Sequence, residues 1–344
     1  MAEPILRVEN LCQYFGANRA VDGVSFSIDR GEVFGLVGES GCGKTTTGRS
    51  IIRLYDITDG SVYFNGQRIA AGTRSYRSAI REARRRLPVT SGEARQALLR
   101  EIGQNRREIR SAVHDHRHAD KRLVTRIQMI YQDPIASLDP RMTVYEIIAE
   151  GLRIRGERDK HEIDCKIYSI LDRVGLVREH AARYPHEFSG GQRQRIGVAR
   201  AIVMEPEIII ADEPVSALDV SIQAQVINLL SDLRQEMGLT VLFIAHDLSV
   251  VKYFSDRIGV MYFGHLVEVA PSDELFRCPL HPYTRALLSA IPLPDPIYER
   301  SRKRILYQPG PAPEEPLALR EVIPGHFVRC AASELEALRR EARP

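Results

Sequence analysis

The stretch GESGCGKTTT, residues 38–47, follows the apolar run EVFGLV and precedes a segment with helical character. It satisfies the phosphate-loop pattern GxxxxGK[ST], between a strand and a helix as the pattern requires, through Gly38, Gly43, Lys44 and Thr45. Glycines let successive amides turn toward a phosphate, and the following helix N-terminus adds partial positive charge. The stretch therefore predicts a nucleoside triphosphate site at the end of a buried strand.

Each polar group of the loop has an expected task. Lys44 is expected to reach the β- and γ-phosphates, and Thr45 is expected to ligate Mg²⁺. The other loop positions expected to bind the nucleotide are Ser40, Gly41, Cys42 and Thr46.

A pair of acids in EIIIADEP, residues 207–214, supplies the metal-binding carboxylate and the general base that the loop lacks. The isoleucines predict a buried strand, so that Asp212 and Glu213 emerge at its end beside the phosphates. Asp212 suits the carboxylate that holds a hydrated Mg²⁺, and Glu213 suits the general base that polarises a water molecule. His246 follows the strand TVLFIA, where it would be placed to contact the γ-phosphate and orient that water, but a lone histidine at a strand end is more often structural.

A second candidate phosphate cradle occurs in EFSGGQRQR, residues 187–195. Its serine and two glycines open a predicted helix, where backbone amides are able to hold a phosphate. The first cradle lies about 150 residues earlier in the chain. The residues alone do not say why one nucleotide-binding chain carries two cradles.

Strands alternate with helices along most of the 344 residues, which predicts an α/β core with a largely parallel sheet. The opening segments read as half-buried strands, and GSVYFNGQRI reads as a hairpin turning at Asn65-Gly66. Residues 143–185 read as mostly helical. From Pro292 onward the chain is rich in proline, which predicts a surface-wrapping or partly extended tail.

The positive charge is concentrated in one block. Residues 74–122 contain 14 Lys and Arg against 6 Asp and Glu, although the whole chain has a net charge of only +3. Apolar residues at helical spacing predict a helical hairpin whose inner face carries Tyr76, Ile80, Ala83, Leu87, Leu98, Ile102, Ile109 and Val113. Pro88 is expected to stop the first helix, and Thr90 with Glu93 to cap the second. The block reads either as a solvated insertion or as a docking element for acidic lipid or a partner.

Several classes of protein and site are excluded by composition. No apolar run reaches about 18 residues, so we expect no membrane span, and the N-terminus has no leader-like pattern, so we expect a cytoplasmic chain. The five cysteines contain no CxxC pair, which gives no support for zinc. Charge confined to one insertion is not the pattern of a nucleic-acid-binding face.

Together the motifs resemble those of the ATP-binding cassette (ABC) ATPases. The phosphate loop, YQDP, FSGGQRQR, ADEP, SALD and IAHD come in that family's order, although Phe188 stands where the family usually has leucine. The resemblance implies an α/β P-loop cassette with a mostly parallel core sheet, an N-terminal antiparallel β subdomain and a helical subdomain. It also implies that Tyr14 stacks on adenine, that Gln132 senses Mg²⁺ or the γ-phosphate, and that His246 has the γ-phosphate role instead of a structural one.

The resemblance also implies an answer to the question of the two cradles. Cassettes of this family pair head to tail, so each ATP lies between the phosphate loop of one chain and the second cradle of the other. That role falls on Ser189, Gly190, Gly191 and Gln192. Asp219, in SALD, would lie at the seam and relay the state of one site to the other.

A narrower resemblance is carried by CPLHPYTRALLSAIPLPDP, residues 278–296, and by VSALDVSIQAQV. These stretches are similar to the oligopeptide/dipeptide importer ATPases, a branch that includes nickel importers, and DRIGVMYFGHLVEVA resembles the second ATPase of such importers. The implied division is a cassette at 1–271, containing the insertion 74–122 and a helical subdomain at about 133–190, then an extension at 272–344. The implied partners are a second, different ATPase, two membrane permeases and an extracytoplasmic binding protein, at the cytoplasmic face of a bacterial or archaeal membrane.

Some alternatives remain open at this point. A nickel-importer ATPase and the accessory ATPase of phosphonate breakdown are close rivals, whereas cassettes acting on ribosomes or DNA lack support. Many relatives end in a cysteine cluster that holds an iron–sulfur centre, which takes about four thiolates. PGHFVRC retains Cys330 without the other cysteines nearby, so we expect ATP and Mg²⁺ but no iron–sulfur cluster. The transported substrate is not encoded in this chain.

Overall fold

The computed structural model describes residues 3–216, 218–291, 305–309 and 315–342. The chain divides into two compact units. The β unit comprises Met1–Asp29, Thr46–Val124 and Phe263–His265, and the core unit comprises Arg30–Thr45, Thr125–Tyr262 and Leu266–Pro344.

Twelve strands are present in the described part of the chain. They are β1 (Leu6–Phe15), β2 (Asn18–Ile28), β3 (Val33–Val37), β4 (Asp59–Phe64), β5 (Gln67–Ala71), β6 (Ile127–Ile130), β7 (Ile208–Asp212), β8 (Thr240–Ala245), β9 (Arg257–Tyr262), β10 (His265–Pro271), β11 (Ala318–Ile323) and β12 (His326–Cys330).

The described helices, numbered in chain order, come in three groups. The first group is α1 (Lys44–Ile51), α2 (Arg74–Arg86), α3 (Gly92–His118), α4 (Lys121–Val124) and α5 (Pro134–Ser137). The second is α6 (Val144–Arg155), α7 (Lys160–Arg173), α8 (Gly190–Ile202) and α9 (Val220–Met237). The third is α10 (Leu248–Phe254), α11 (Ser272–Arg277), α12 (Pro282–Ser289) and α13 (Leu335–Glu341).

The β unit holds a four-stranded antiparallel sheet with the order β2-β1-β4-β5. Alternating apolar residues bury one face of this sheet, including Leu6, Val62 and Phe64, none of which is exposed. The predicted hairpin between β4 and β5 is confirmed, and its turn residues Asn65 and Gly66 both have positive φ angles, 48° and 74°. The predicted antiparallel subdomain is therefore present.

The basic insertion, residues 74–122, forms the predicted helical hairpin. Helices α2 and α3 bury a cluster of Ile80, Ala83, Leu98 and Ile102, with Leu87 and Ile109 packed against it. Tyr76 and Val113 are half-buried and lie outside that cluster. Asp115 of α3 accepts a 2.6 Å ion-pair hydrogen bond from Arg68 of β5, which fastens the hairpin to the β sheet.

The predicted cap of the second insertion helix is wrong. Helix α3 begins after Ser91, and no side-chain hydrogen bond caps it. The Thr90 hydroxyl donates to the Arg86 carbonyl at 2.7 Å instead. Helix α2 continues into a 3-10 turn at Leu87–Val89, and Thr90 therefore bonds to the end of the first helix and not to the start of the second. Pro88 lies within that turn, so the predicted end of the first helix is confirmed.

The core unit is built on an eight-stranded sheet with the order β11-β12-β10-β9-β3-β8-β7-β6. The four strand pairs from β9 through β3, β8 and β7 to β6 are parallel, which confirms the predicted mostly parallel sheet. All five residues of β3 are buried, since it pairs with strands on both sides. The loops that carry chemistry leave the carboxyl ends of these strands.

The helical stretch before the second cradle has clear start and stop signals. Thr143 and Glu146 form a capping box at the start of α6, and Gly156 ends that helix in a left-handed conformation. Helices α6, α7 and α8 pack on one another and contribute Ile148, Leu171 and Ile196 to the main core.

The C-terminal region departs from the predicted proline-rich tail. Part of that tail, residues 292–304 and 310–314, lies outside the described residues, but residues 318–330 form a β-hairpin. Its strand β12 pairs with β10, so the hairpin extends the core sheet. Alternate residues of β12 are buried, including His326 and Cys330.

Candidate nucleotide site

The phosphate loop leaves the end of β3 and turns directly into α1. Lys44 is only 4% exposed, and its Nζ donates to the carbonyl oxygens of Gly38 and Glu39 at 2.8 and 2.9 Å. These two carbonyls point the ammonium group into the loop, where the sequence predicts the β- and γ-phosphates. Gly43 is buried inside the turn, and Ser40 and Gly41 are exposed.

Gly38 is the position where the loop tolerates no side chain. Its φ angle is 149°, and a Cβ atom there would lie 2.2 Å from the Met261 carbonyl oxygen and 2.8 Å from Cys42 Sγ. Cys42 is itself buried, and burial raises the pKa of its thiol. The thiol therefore stays protonated at neutral pH and packs as a small apolar group.

Thr45 and Asp212 meet at the predicted metal position. Asp212 ends β7 and is fully buried, and its Oδ1 accepts a 2.7 Å hydrogen bond from the Thr45 hydroxyl. A hydroxyl and a carboxylate at hydrogen-bonding distance form the hard oxygen set that Mg²⁺ prefers. The residues present thus fit the ion that the sequence predicts.

Glu213 lies at the centre of the predicted catalytic residues. Its Oε2 accepts from Gln132 Nε2 at 3.1 Å and lies 3.0 Å from His246 Nδ1, while its Oε1 is 4.0 Å from Lys44 Nζ. The residue has a φ angle of 44°, and its N–H donates to the Ile244 carbonyl at 2.9 Å. The structure therefore brings Gln132, Glu213 and His246 together beside Lys44.

The second cradle opens α8 with a capping box of its own. Ser189 Oγ accepts from the Gln192 N–H at 3.4 Å, and the Ser189 N–H donates to the Gln192 side chain at 3.1 Å. Ser189 and Gly190 are exposed. A Cβ atom at Gly191 would lie 2.6 Å from Ile222 of α9, so that glycine also allows two helices to pack closely.

Asp219 occupies the N-cap position of α9. Its carbonyl accepts from the Ile222 and Gln223 amides at 2.9 and 2.8 Å, but its side chain makes no capping hydrogen bond in the described structure. The carboxylate is exposed. Its predicted role at a seam between chains stays a prediction.

Tyr14, the predicted adenine platform, belongs to the β unit. Its hydroxyl donates to Asp22 Oδ1 at 2.6 Å. The guanidinium carbons of Arg74 and Arg19 lie 4.8 and 5.4 Å from the centre of its ring. Arg74 is the first residue of α2, so the basic insertion begins at this ring, which the sequence did not indicate. Thr46 is half-buried in the same unit.

One contact of the phosphate loop was not predicted. The Glu39 N–H donates to the Tyr283 hydroxyl at 3.1 Å, although Tyr283 lies 244 residues later in the chain. The available signal was the triplet His281-Pro282-Tyr283, which in the sequence indicated only the importer branch of the family. Its proximity to the loop depends on long-range folding.

Comparisons with known families agree with these motifs. Residues 21–216 match the family described as ABC transporter, and residues 267–316 match the one described as oligopeptide/dipeptide transporter, C-terminal region. The chain is 54% identical over 345 residues to the oligopeptide transport ATP-binding protein OppF of Bacillus subtilis, with 98% of this chain and 99% of the relative covered. It is 46% identical over 353 residues to the dipeptide transport ATP-binding protein DppF of Lactococcus lactis, with 99% of each covered.

Solved structures show the same fold. A dimeric ATP-binding cassette, MJ0796, solved with ADP and Pi, aligns with a TM-score of 0.58 and 24% identity, covering 78% of this chain and 98% of that one. The cassette cbiO1 of Clostridium perfringens aligns with a TM-score of 0.59 and 23% identity, covering 80% and 92%. The fold, the motifs and these full-length relatives establish that the chain belongs to the ABC transporter ATPases and carries the C-terminal region of their oligopeptide/dipeptide branch.

Proposed function

We propose that this chain hydrolyses ATP as the motor subunit of an importer of oligopeptides or dipeptides. The observation that carries the proposal is the cluster of Gln132, Glu213 and His246 beside Lys44, in a chain that also matches the oligopeptide/dipeptide C-terminal region. Relatives named for oligopeptide and dipeptide transport cover nearly the whole chain, which favours peptides over nickel or phosphonate chemistry.

In the proposed reaction, Glu213 accepts a proton from a water molecule as that water attacks the γ-phosphate. Gln132 and His246 hold one oxygen of the Glu213 carboxylate, which orients the base toward a fixed point. The bond to the β-phosphate oxygen breaks, and ADP and phosphate leave. Lys44 and the amides around Gly41 and Gly43 hold the phosphate oxygens of ATP before and during the transfer.

The residues proposed to hold Mg²⁺ are Thr45 and Asp212, with Gln132 at the edge of the site. When bound, the ion would neutralise charge shared between the β- and γ-phosphates. The 2.7 Å contact between the Thr45 hydroxyl and Asp212 supports this assignment, because both groups already converge. We propose no iron–sulfur cluster.

The second cradle is proposed to serve a nucleotide held by another chain. Ser189 and Gly190 are exposed, and the amides of the first turn of a helix are suited to binding a phosphate. In this proposal two ATPases associate head to tail, and the natural partner is a second, related ATPase rather than another copy. Asp219 would lie at the resulting seam, and Tyr14 would stack on adenine.

The proposed complex contains two membrane permeases and an extracytoplasmic binding protein, with no nucleic acid. In the described part of the chain no helix combines the length and the hydrophobicity needed to cross a bilayer. Because its relatives are named as ATP-binding proteins of transport systems, we propose attachment to the cytoplasmic face of the cell membrane through the permeases. We propose that residues 1–271 form the cassette, with its helical subdomain at about 133–190, and that residues 272–344 form the extension.

Purification of the tagged chain from its native membrane tests this proposal. We expect two permeases and a second cassette ATPase to co-purify, and binding protein loaded with peptide to stimulate ATP turnover in proteoliposomes. Binding protein without peptide serves as the control. Recovery of a complex that contains no permease, or stimulation by a metal ion in place of peptide, would contradict peptide import.

A further inference from the structure

The C-terminal region reaches the phosphate loop through one tyrosine. Tyr283, the second residue of α12, is 1% exposed, and its hydroxyl accepts the 3.1 Å hydrogen bond from the Glu39 N–H. Burial raises the pKa of Tyr283, so the hydroxyl stays protonated and neutral at physiological pH. A neutral acceptor of fixed position therefore lies against the backbone of the loop.

The amide that Tyr283 binds belongs to the same peptide group that holds Lys44. The N–H of Glu39 donates to Tyr283, and the carbonyl of that peptide, from Gly38, accepts from Lys44 Nζ at 2.8 Å. A peptide group is planar, so fixing the direction of its N–H also fixes the direction of its carbonyl. Hydrogen bonds at the two ends of one peptide also polarise each other. The place of the Lys44 ammonium thus depends on the hydroxyl.

The Tyr283 ring is held by its neighbours. The ring centre lies 4.3 Å from that of Tyr262 and 5.6 Å from that of Tyr307. The backbone N–H of Tyr283 donates to His281 Nδ1 at 3.2 Å. This hydrogen bond caps α12 and fixes the first turn of that helix. The hydroxyl therefore has little freedom to move away from the loop.

A buried carboxylate fixes the start of α12 in turn. Glu268 of β10 is fully buried and accepts from the Leu280 and His281 amides at 2.7 and 3.1 Å. The same carboxylate lies 2.7 Å from Nε2 of His326, which belongs to β12 and is also fully buried. Contacts therefore run from the C-terminal hairpin through α12 to the loop.

We propose that Tyr283 is a positioning residue of the ATP site: the C-terminal region orients, through its hydroxyl, the peptide whose carbonyl holds Lys44. The phosphate loop of this chain is accordingly completed by residues outside the cassette motifs. The proposal depends on ATP binding and hydrolysis, not on the transported cargo, so it stands or falls separately from peptide import.

The test compares Tyr283→Phe with Tyr307→Phe in the full chain and in the assembled transporter. Both substitutions remove one hydroxyl from the same tyrosine cluster, and the Tyr307 hydroxyl makes no hydrogen bond with the described residues. Because one hydrogen bond typically corresponds to a few-fold change in an equilibrium constant, Y283F should raise the KM for ATP about threefold to tenfold. We expect kcat to stay within about twofold, since Lys44 binds ATP in the ground state as well as in the transition state.

Thermal unfolding separates positioning from general destabilisation. We expect Y307F to leave KM unchanged even if it lowers Tm as much as Y283F does. Equal KM values for Y283F and the unsubstituted protein would overturn the proposal, as would equal increases in both variants. If Y283F fails to fold, Glu268→Gln takes its place, because it weakens the anchor of α12 and should raise KM with little change in kcat; an unchanged KM there also overturns the proposal.

Discussion

The two phosphate cradles of this chain share backbone chemistry and differ in everything around it. The loop at Gly38–Thr45 buries Lys44 although its tip is exposed, and it has a metal-type oxygen pair and a carboxylate within reach of that lysine. In the cradle at Ser189–Gln192 the first two residues are exposed and the last two are half-buried, and its capping box joins Ser189 to Gln192. In the proposed mechanism the first cradle binds ATP and hydrolyses it, whereas the second supplies hydrogen-bond donors to a nucleotide that is hydrolysed at another chain's phosphate loop.

The largest expected effect comes from removing the catalyst from the first cradle. Glu213→Gln keeps the shape of the side chain but cannot take a proton, so turnover by the assembled transporter should fall about 1,000-fold. ATP binding should stay within a few-fold of the unsubstituted protein. Glu236→Gln, on the exposed side of α9, is the matched control and should leave turnover unchanged. Normal turnover by E213Q would show that another group is the base.

A smaller effect is expected at the second cradle. Ser189→Ala should lower turnover about tenfold, because one donor to the γ-phosphate is lost at the moment of closure. ATP affinity of the isolated chain should not change, since the first cradle is untouched.

The control for Ser189→Ala must remove a helix cap without touching a cradle. Thr143→Ala does so, because Thr143 forms an equivalent capping box at α6. Each substitution should cost about 1 kcal/mol of stability. Only S189A should slow turnover; an equal loss of turnover in both variants would reduce the second cradle to a structural cap.

A third prediction concerns the binding of the adenine ring of ATP instead of its phosphates. Tyr14→Ser should weaken ATP affinity about tenfold, because base–aromatic stacking is worth about 1–3 kcal/mol. Equilibrium titration of the full chain measures this effect. Tyr63→Ser is the control, since Tyr63 also lies on the β sheet beneath an arginine, Arg7. If both variants bind ATP normally, Tyr14 is not the adenine platform.

The sequence was sufficient to predict which side chains lie together at the first cradle, because each motif is local. The loop, the two acids and His246 each follow a recognisable strand, and parallel strands bring their carboxyl ends to one edge. The prediction of the α3 cap was wrong by one residue. Thr90 and Ser91 are both suitable N-cap residues, and the 3-10 turn at Leu87–Val89 makes the helix begin after Ser91 instead of Thr90.

Long-range contacts were beyond sequence reasoning. Nothing local connects Tyr283 to Glu39, or His326 to Glu268, because each pair is joined only after distant strands have assembled. The C-terminal hairpin, β11 and β12, was not predicted from the sequence for a similar reason. Prolines dominate the segment before it, and the alternating burial of β12 arises because one face of the hairpin packs against distant residues, including Leu280 and Ala342.

The central claim is that the cradle at Ser189–Gln192 serves a nucleotide bound by another chain. It is tested most directly with ATP that carries a photoreactive group on its γ-phosphate, in a transporter whose copy of this chain carries Lys44→Ala. The variant chain loses its own nucleotide, so we predict that the Ser189–Gln192 peptide is still labelled from its partner's phosphate loop. Loss of that label with Lys44→Ala in this chain, while the partner still binds ATP, would contradict the claim.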